Sequence, residues 1–195
     1  MHLQTASGYT RHIFLSTFVF FIAACALSPQ IIVIEPVINV QGKADWPRTL
    51  RLQVTDGRDS PIIGQRGGIY KNTSHISTSE DMTTTLRKSL AKALQKQGHT
   101  VSDGAADADL SVRVNDMYYT VHKGKVLYTI EVHVDVSAII KKQGREFTGD
   151  YRATRKKDEL KLPGIEGNEE LVNEAMALVL EHMLTNDEFK KFVQE

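Results

Sequence analysis

Val126-Leu-Tyr-Thr-Ile-Glu-Val-His-Val-Asp-Val-Ser-Ala-Ile-Ile140 is the stretch that decides the fold. Val126, Tyr128, Ile130, Val132, Val134, Val136, Ala138 and Ile140 share one parity, against Thr129, Glu131, His133, Asp135 and Ser137 on the other. A two-residue period sustained over this length predicts a long β-strand with one covered and one wet face.

The neighbouring residues extend this strand into a meander. Upstream, His122-Lys-Gly-Lys125 makes a turn, and before it Leu110, Val112 and Val114 alternate with polar residues. Met117, Tyr119 and Val121 continue on the opposite parity, which predicts a bulge near Asp116. Downstream, Lys142-Gln-Gly144 turns again, and Phe147, Gly149, Tyr151 and Ala153 mark the inward face of a third strand running to about Arg155.

Helical spacing flanks the meander on both sides. Ser77-x-x-Glu80 resembles a capping box, and Met82, Leu86, Leu90 and Leu94 follow on one helical face before Gly98 stops the helix. Beyond a Lys-rich linker through Pro163 and Gly167, Asn168 reads as an N-cap, with Glu169 and Glu170 placed favourably against the helix dipole. Leu171, Val172, Ala175, Met176, Val179, Met183 and Leu184 form the second apolar stripe, ending at Asn186 or Asp187 before a short tail from Phe189 to Val193.

Nearer the N-terminus, Leu50, Leu52 and Val54 alternate as a half-buried strand broken by Asp56-Gly57-Arg58-Asp59-Ser60-Pro61. Residues from Ile62 to His75 read as a loop or loose hairpin. The expected fold is α+β: an antiparallel sheet, made of the three-strand meander plus an N-terminal strand, with two long helices packed on one face. Residues 49–195 form this single domain.

The apolar run from Ile13 to Ala24 follows Arg11 and ends at Cys25, the chain's one cysteine. A positive start, an apolar stretch and small residues before the cut make a secretory leader of residues 1–24. Ile22-Ala23-Ala24-Cys25 resembles a bacterial lipobox, with isoleucine in place of leucine. That resemblance implies diacylglycerol on the Cys25 thiol, cleavage before Cys25 and acylation of its amine. Two or three acyl chains make attachment lasting. Ala26 after the cysteine, in place of aspartate, implies an outer-membrane destination facing the periplasm.

Residues 25–48 then form a lipidated N-terminus and extended arm. The apolar, β-branched run from Ile31 to Val40 is unlike a passive linker. It is expected to dock, as an edge strand on its own sheet or by strand addition to a partner. An undocked arm of this length would hold the domain some tens of ångströms from the bilayer, at about 3.3–3.6 Å per residue.

Lys and Arg number 24 against 24 Asp and Glu. This is not the basic excess of a nucleic-acid binder. Val54-x-Asp56-x-Arg58 followed by Ile63-Gly64, Leu94-x-x-x-Gly98-x-x-Val101, Tyr128, Tyr151-Arg152-Ala153 and the lipobox together resemble the YajG family of bacterial envelope lipoproteins. The resemblance implies an envelope lipoprotein and carries over no catalytic residue.

The remaining candidates for chemistry are sparse. His133 with Glu131 and Asp135 is the best metal or acid–base group, against a solvated cross-strand charge ladder, which is favoured. His75, His99, His122 and His182 lie scattered, without metal-ligand spacing. Asp56-Gly57-Arg58-Asp59 reads as a self-stabilised turn before an anion site. Gly64-x-x-Gly67-Gly68 lacks the lysine and hydroxyl residue of a phosphate loop. Arg87, Lys88, Lys92 and Lys96 read as a solvated helix face.

The expectation is therefore a non-enzymatic, lipid-anchored periplasmic protein without metal or cofactor, whose one modified residue is Cys25. It would meet the membrane through its lipid and act on an envelope protein partner, as an accessory or structural component of a cell-envelope assembly. The reading from another class is an auxiliary lipoprotein that binds lipid or glycan in envelope transport.

Overall fold

The computed structural model describes residues 28–67 and 73–194. Cys25 and the expected leader lie outside the described residues, as do Gly68 and Ile69. The elements are β1 (Gln30–Ile32), β2 (Thr49–Asp56), β3 (Ile62–Gln65), β4 (His75–Thr78), α1 (Met82–Lys96), β5 (Thr100–Val101), β6 (Ala108–Lys123), β7 (Tyr128–Lys142), β8 (Arg145–Glu159), α2 (Ile165–Thr185) and α3 (Asp187–Gln194).

The expected meander is present, with β7 antiparallel to both β6 and β8. The sheet around it is not the purely antiparallel one expected. All eight strands join one mixed sheet, in which β1 pairs with β4, β2 with β5 and β6, and β3 with β6 in parallel. The cause is connectivity. Helix α1 lies between β2 and β6 in the chain and acts as a crossover, which returns the chain to the same end of the sheet and so makes the two strands parallel.

Strands β2 and β3 border β6 one after the other. Leu50 to Asp56 lie opposite Ala108 to Val114, and Gly64 lies opposite Tyr119. The chain takes eight residues from Asp56 to Gly64 where β6 takes five from Val114 to Tyr119. Residues 57–61 absorb the excess as a kink, beside the register shift between Val114 and Asp116. That shift is the bulge expected near Asp116.

On β7, Ile130, Val132, Val134, Val136, Ala138 and Ile140 are all wholly buried. The strand begins at Tyr128, so Val126 falls in a turn closed by the Gly124 N–H donating to Leu127 O at 2.8 Å, and its side chain is 75% exposed. Strand β8 runs past Arg155 to Glu159, because residues 155–159 pair with residues 128–132 of β7. Backbone pairing thus carries a strand through a Lys-rich sequence whose side chains stay in water.

Both long helices cover the same face, α1 over β2 and α2 over β7 and β8. Met82, Leu86, Leu90 and Leu94 of α1 are buried as their spacing predicts, and Gly98 ends the helix at φ +97°. The expected capping box does not form. Ser77 belongs to β4, whose backbone is paired on both sides by β1 and β3, and the helix starts only after Asp81.

Helix α2, by contrast, starts earlier than expected, after Gly164, which leaves Asn168 inside it and wholly buried. The C-terminal tail is a third helix, α3, that buries Phe189 and Val193. It is pinned where Lys142 Nζ donates to Val193 O at 3.3 Å.

β3 and β4 pair antiparallel, which is the hairpin alternative of the expectation for this stretch, and Gly64 lies tight against β6. A Cβ on Gly64 would stand 2.1 Å from the carbonyl oxygen of Tyr119, a backbone atom that cannot swing away. Gly64→Ala is expected to lower stability by about 1–3 kcal/mol through overpacking. Gly104→Ala, whose added Cβ would meet only Ser102 Oγ at 3.6 Å, an ordinary contact, should stay within about 0.5 kcal/mol of the parent. Urea unfolding of the two variants measures the difference.

Candidate functional site

The wet face of the meander brings His133, Glu131 and Asp135 onto one surface, but each is engaged across the strands. His133 stacks on Tyr118 with ring centroids 4.6 Å apart, and its Nδ1 meets Thr154 Oγ1 at 3.0 Å. Glu131 pairs with Lys156 at 3.0 Å. Asp135 accepts from Arg152 Nε at 2.5 Å and from Asn115 Nδ2 at 3.0 Å. Burial alone would raise the Asp135 pKa, yet the bonds from Arg152 and Asn115 outweigh it and bring the carboxyl below its ordinary value. This is the cross-strand ladder. Among the described residues no group of three or more His, Cys, Asp or Glu is arranged to hold a metal ion.

Asp56 and Arg58 form the kink between β2 and β3. Arg58 Nε and Nη2 donate to the two oxygens of Asp56 at 2.9 and 2.8 Å, and Nη2 also donates to Thr78 Oγ1 at 2.8 Å and contacts Met82 Sδ at 3.3 Å. The guanidinium thus ties the kink to β4 and to the start of α1. Its side chain is 5% exposed. Burial pushes the Asp56 pKa up, but the Arg58 side-chain and backbone hydrogen bonds prevail and hold it below the ordinary 3.8.

The four basic residues of α1 do not act together. Arg87 turns to the sheet edge, donating to Leu52 O at 3.1 Å and to Asp103, while Lys88, Lys92 and Lys96 remain exposed. The histidines stay dispersed. His99 is buried and accepts from the Arg48 N–H at 3.2 Å, and burial lowers its pKa.

The arm docks, with Gln30–Ile32 added to β4 as an edge strand, one of the two expected modes; two arrangements beyond that escaped the sequence reading. In the first, the arm lies between α1 and α2, with Ile32, Ile34 and Ile38 buried beneath it. Its backbone is bonded by helix side chains: the N–H groups of Val33, Glu35 and Asn39 donate to Glu169 Oε2, Asn173 Oδ1 and Glu181 Oε1 at 3.0, 2.8 and 2.6 Å. Asn173 Nδ2 donates back to Val33 O at 2.8 Å, and Thr85 Oγ1 of α1 donates to Ile34 O at 2.6 Å.

The match is geometric. Two residues of extended chain advance about 6.6 Å and four residues of helix about 6.0 Å, so polar groups on α2 at four-residue spacing meet every second amide of the arm. Glu169 and Asn173 carry that spacing in the sequence, and Glu181 resumes it one repeat beyond the apolar Ala177, as Asn39 does beyond Val37 on the arm. It is legible only when the strand period of the arm is laid against the helix period of α2.

The second arrangement is a buried polar junction where the arm enters the fold. The Asn168 side-chain amide lies 2.8 Å from Tyr119 Oη and 2.7 Å from the Gln30 amide. Ile165 N–H and Arg66 Nη1 both present donors to Gln30, so the Gln30 carbonyl oxygen faces them, at 3.0 and 2.9 Å. Gln30 thereby caps the first turn of α2. Arg66 also donates to Ser28 O. Burial raises the pKa of Tyr119 and lowers that of Arg66, which keeps the phenol neutral.

Two outcomes test these sites. Asn168→Ala strands the Tyr119 hydroxyl and the Gln30 amide in the core, and is expected to cost about 2–4 kcal/mol in urea unfolding. For Asp56 the folded pKa is depressed, so its contribution is present above the ordinary 3.8 and is lost as pH falls through the lower folded value. Asp56→Asn should be less stable than the parent at neutral pH and should show a shallower fall in melting temperature below about pH 4.

The family model described as uncharacterized lipoprotein (Lipoprotein_16) matches residues 37–194. No curated protein matches the chain. Among solved structures, one described as the crystal structure of an uncharacterized protein is similar with a TM-score of 0.51 at 13% identity, covering 81% of this chain and 100% of that one. Protein XCC0632 from Xanthomonas campestris, of the family DUF330, has a TM-score of 0.46 at 16% identity, covering 85% of this chain and 93% of its own. Lipoprotein GNA1162 from Neisseria meningitidis has 0.39 at 12% identity, over 72% of this chain and 100% of its own. The first likeness shows a shared fold alone. The family match spans the second half of the arm, the kink at Arg58, the meander and all three helices, and by it the chain belongs to the uncharacterized lipoprotein family.

Proposed function

We propose that the protein is a non-enzymatic lipoprotein of the YajG group, anchored through acylated Cys25 in the outer membrane and facing the periplasm. There it serves as an accessory or structural component of a cell-envelope assembly. The observation that carries this reading is the lipobox Ile22-Ala23-Ala24-Cys25 in a chain of a lipoprotein family. Described structure begins at Ser28, three residues after that cysteine. Among the described residues no helix is long and apolar enough to cross a membrane, so a lipid on Cys25 would supply the attachment. The acid–base candidates of the sheet are each engaged by residues of the adjacent strand, His133 by Thr154, Glu131 by Lys156 and Asp135 by Arg152, which favours work through contacts over chemistry.

Cys25→Ser is expected to abolish incorporation of a fatty-acid probe and to leave a precursor that retains residues 1–24. Equal labelling of parent and variant would remove the basis for the anchor. Purification from membranes, read by mass spectrometry, separates the roles: a stable protein partner supports an assembly component, whereas stoichiometric lipid or glycan moves the reading to an auxiliary carrier in envelope transport.

A further inference from the structure

The register of the sheet sets how far the domain can stand from its anchor. Gln30 pairs with Ile76, Ile76 with Gly64, and Gly64 with Tyr119, so these four residues form one row across four strands. From that row β6 runs toward the same end of the molecule as the chain preceding β1, because β6 is parallel to β3 and β3 is antiparallel to β4, which is parallel to β1. Cys25 lies five residues before Gln30, and Gly124, where the β6–β7 turn begins, lies five residues beyond Tyr119. At about 3.3–3.6 Å per residue, both distances are at most about 18 Å. Both lead from the row toward the same end of the molecule, so the hairpin tip lies at the end of the fold nearest the lipid.

The tip is built accordingly. Val126 is 75% and Leu127 39% exposed, and Leu160, which follows Glu159 where β8 pairs with the first residue of β7, is 75% exposed. Lys123, Lys125 and Lys161 stand among them and take part in no ion pair among the described residues. Exposed apolar side chains interleaved with unpaired lysines suit the headgroup region of an anionic bilayer, where the apolar parts enter the interface and the ammonium groups meet lipid phosphate.

We infer that the β6–β7 hairpin tip and the Leu160-Lys161 linker form a second, non-covalent contact with an anionic lipid surface, which fixes the orientation of the domain on its membrane. The contact rests on the Cys25 anchor proposed above.

The test uses the full mature chain, purified with its lipid and reconstituted into phosphatidylethanolamine vesicles containing phosphatidylglycerol and a headgroup quencher. With Cys25 acylated, a cysteine introduced by Val126→Cys is the single free thiol and takes a fluorophore. Trp46→Cys serves as the reference: Trp46 is 66% exposed and precedes β2, at the opposite end of the sheet. Quenching of the Val126→Cys label at least threefold stronger than that of the Trp46→Cys label is expected. Lys123→Glu with Lys125→Glu and Lys161→Glu should at least halve that difference while vesicle flotation persists. Equal quenching at both positions in floating protein overturns the contact and leaves the anchor standing. Unchanged quenching in the triple variant overturns recognition of anionic headgroups. A chain that neither floats nor carries acyl label overturns anchor and contact together.

Discussion

Six side chains of β7, from Ile130 to Ile140 at alternate positions, lie wholly out of water on one face, and covering that face governs the rest of the molecule. Two helices can lie over the sheet, but helices pack with axes about 8–10 Å apart, and the seam between α1 and α2 must also be closed. The arm closes it with Ile32, Ile34 and Ile38. An extended segment between two helices has no neighbouring strand over most of its length, so its backbone needs other partners. Glu169, Asn173 and Glu181 supply them. The side chains of α2 thus do for the arm what a strand would do in a sheet.

The same logic explains the buried polar junction. The arm meets the first turn of α2 where free N–H groups face inward, and Gln30 satisfies one of them while Asn168 joins Gln30 to Tyr119. A buried amide with partners from β1, β6 and α2 fixes the register of three elements together. It also ties Gln30, two residues after the first described residue, into the buried interior.

Much of this was legible in the residues. The meander, the bulge near Asp116, the apolar stripes of both long helices and the stop at Gly98 follow from period and backbone preference, because each depends on residues close in sequence. The reading of Glu131, His133 and Asp135 as a cross-strand ladder rested on the same periodicity, since residues on one face of a strand meet those of its neighbours. The expected caps failed for the opposite reason. Ser77-x-x-Glu80 has the letters of a capping box, but sheet pairing on both sides of β4 takes the backbone first. Asn168 has the character of an N-cap, but the groups that need it come from β1 and β6.

What the sequence by itself determined is therefore the meander, the strand through Leu50, Leu52 and Val54, the two long helices, and the face each of them buries. The parallel pairing of β2 with β6, the joining of β2 and β3 along one strand edge, and the docking of the arm on α2 were decided only by the tertiary structure. The physical reason is that periodicity records which side of a segment avoids water, whereas strand direction and backbone partners depend on how distant segments share one sheet. Alternation in Leu50, Leu52 and Val54 is equally compatible with a parallel or an antiparallel neighbour. The crossover through α1 chose the former.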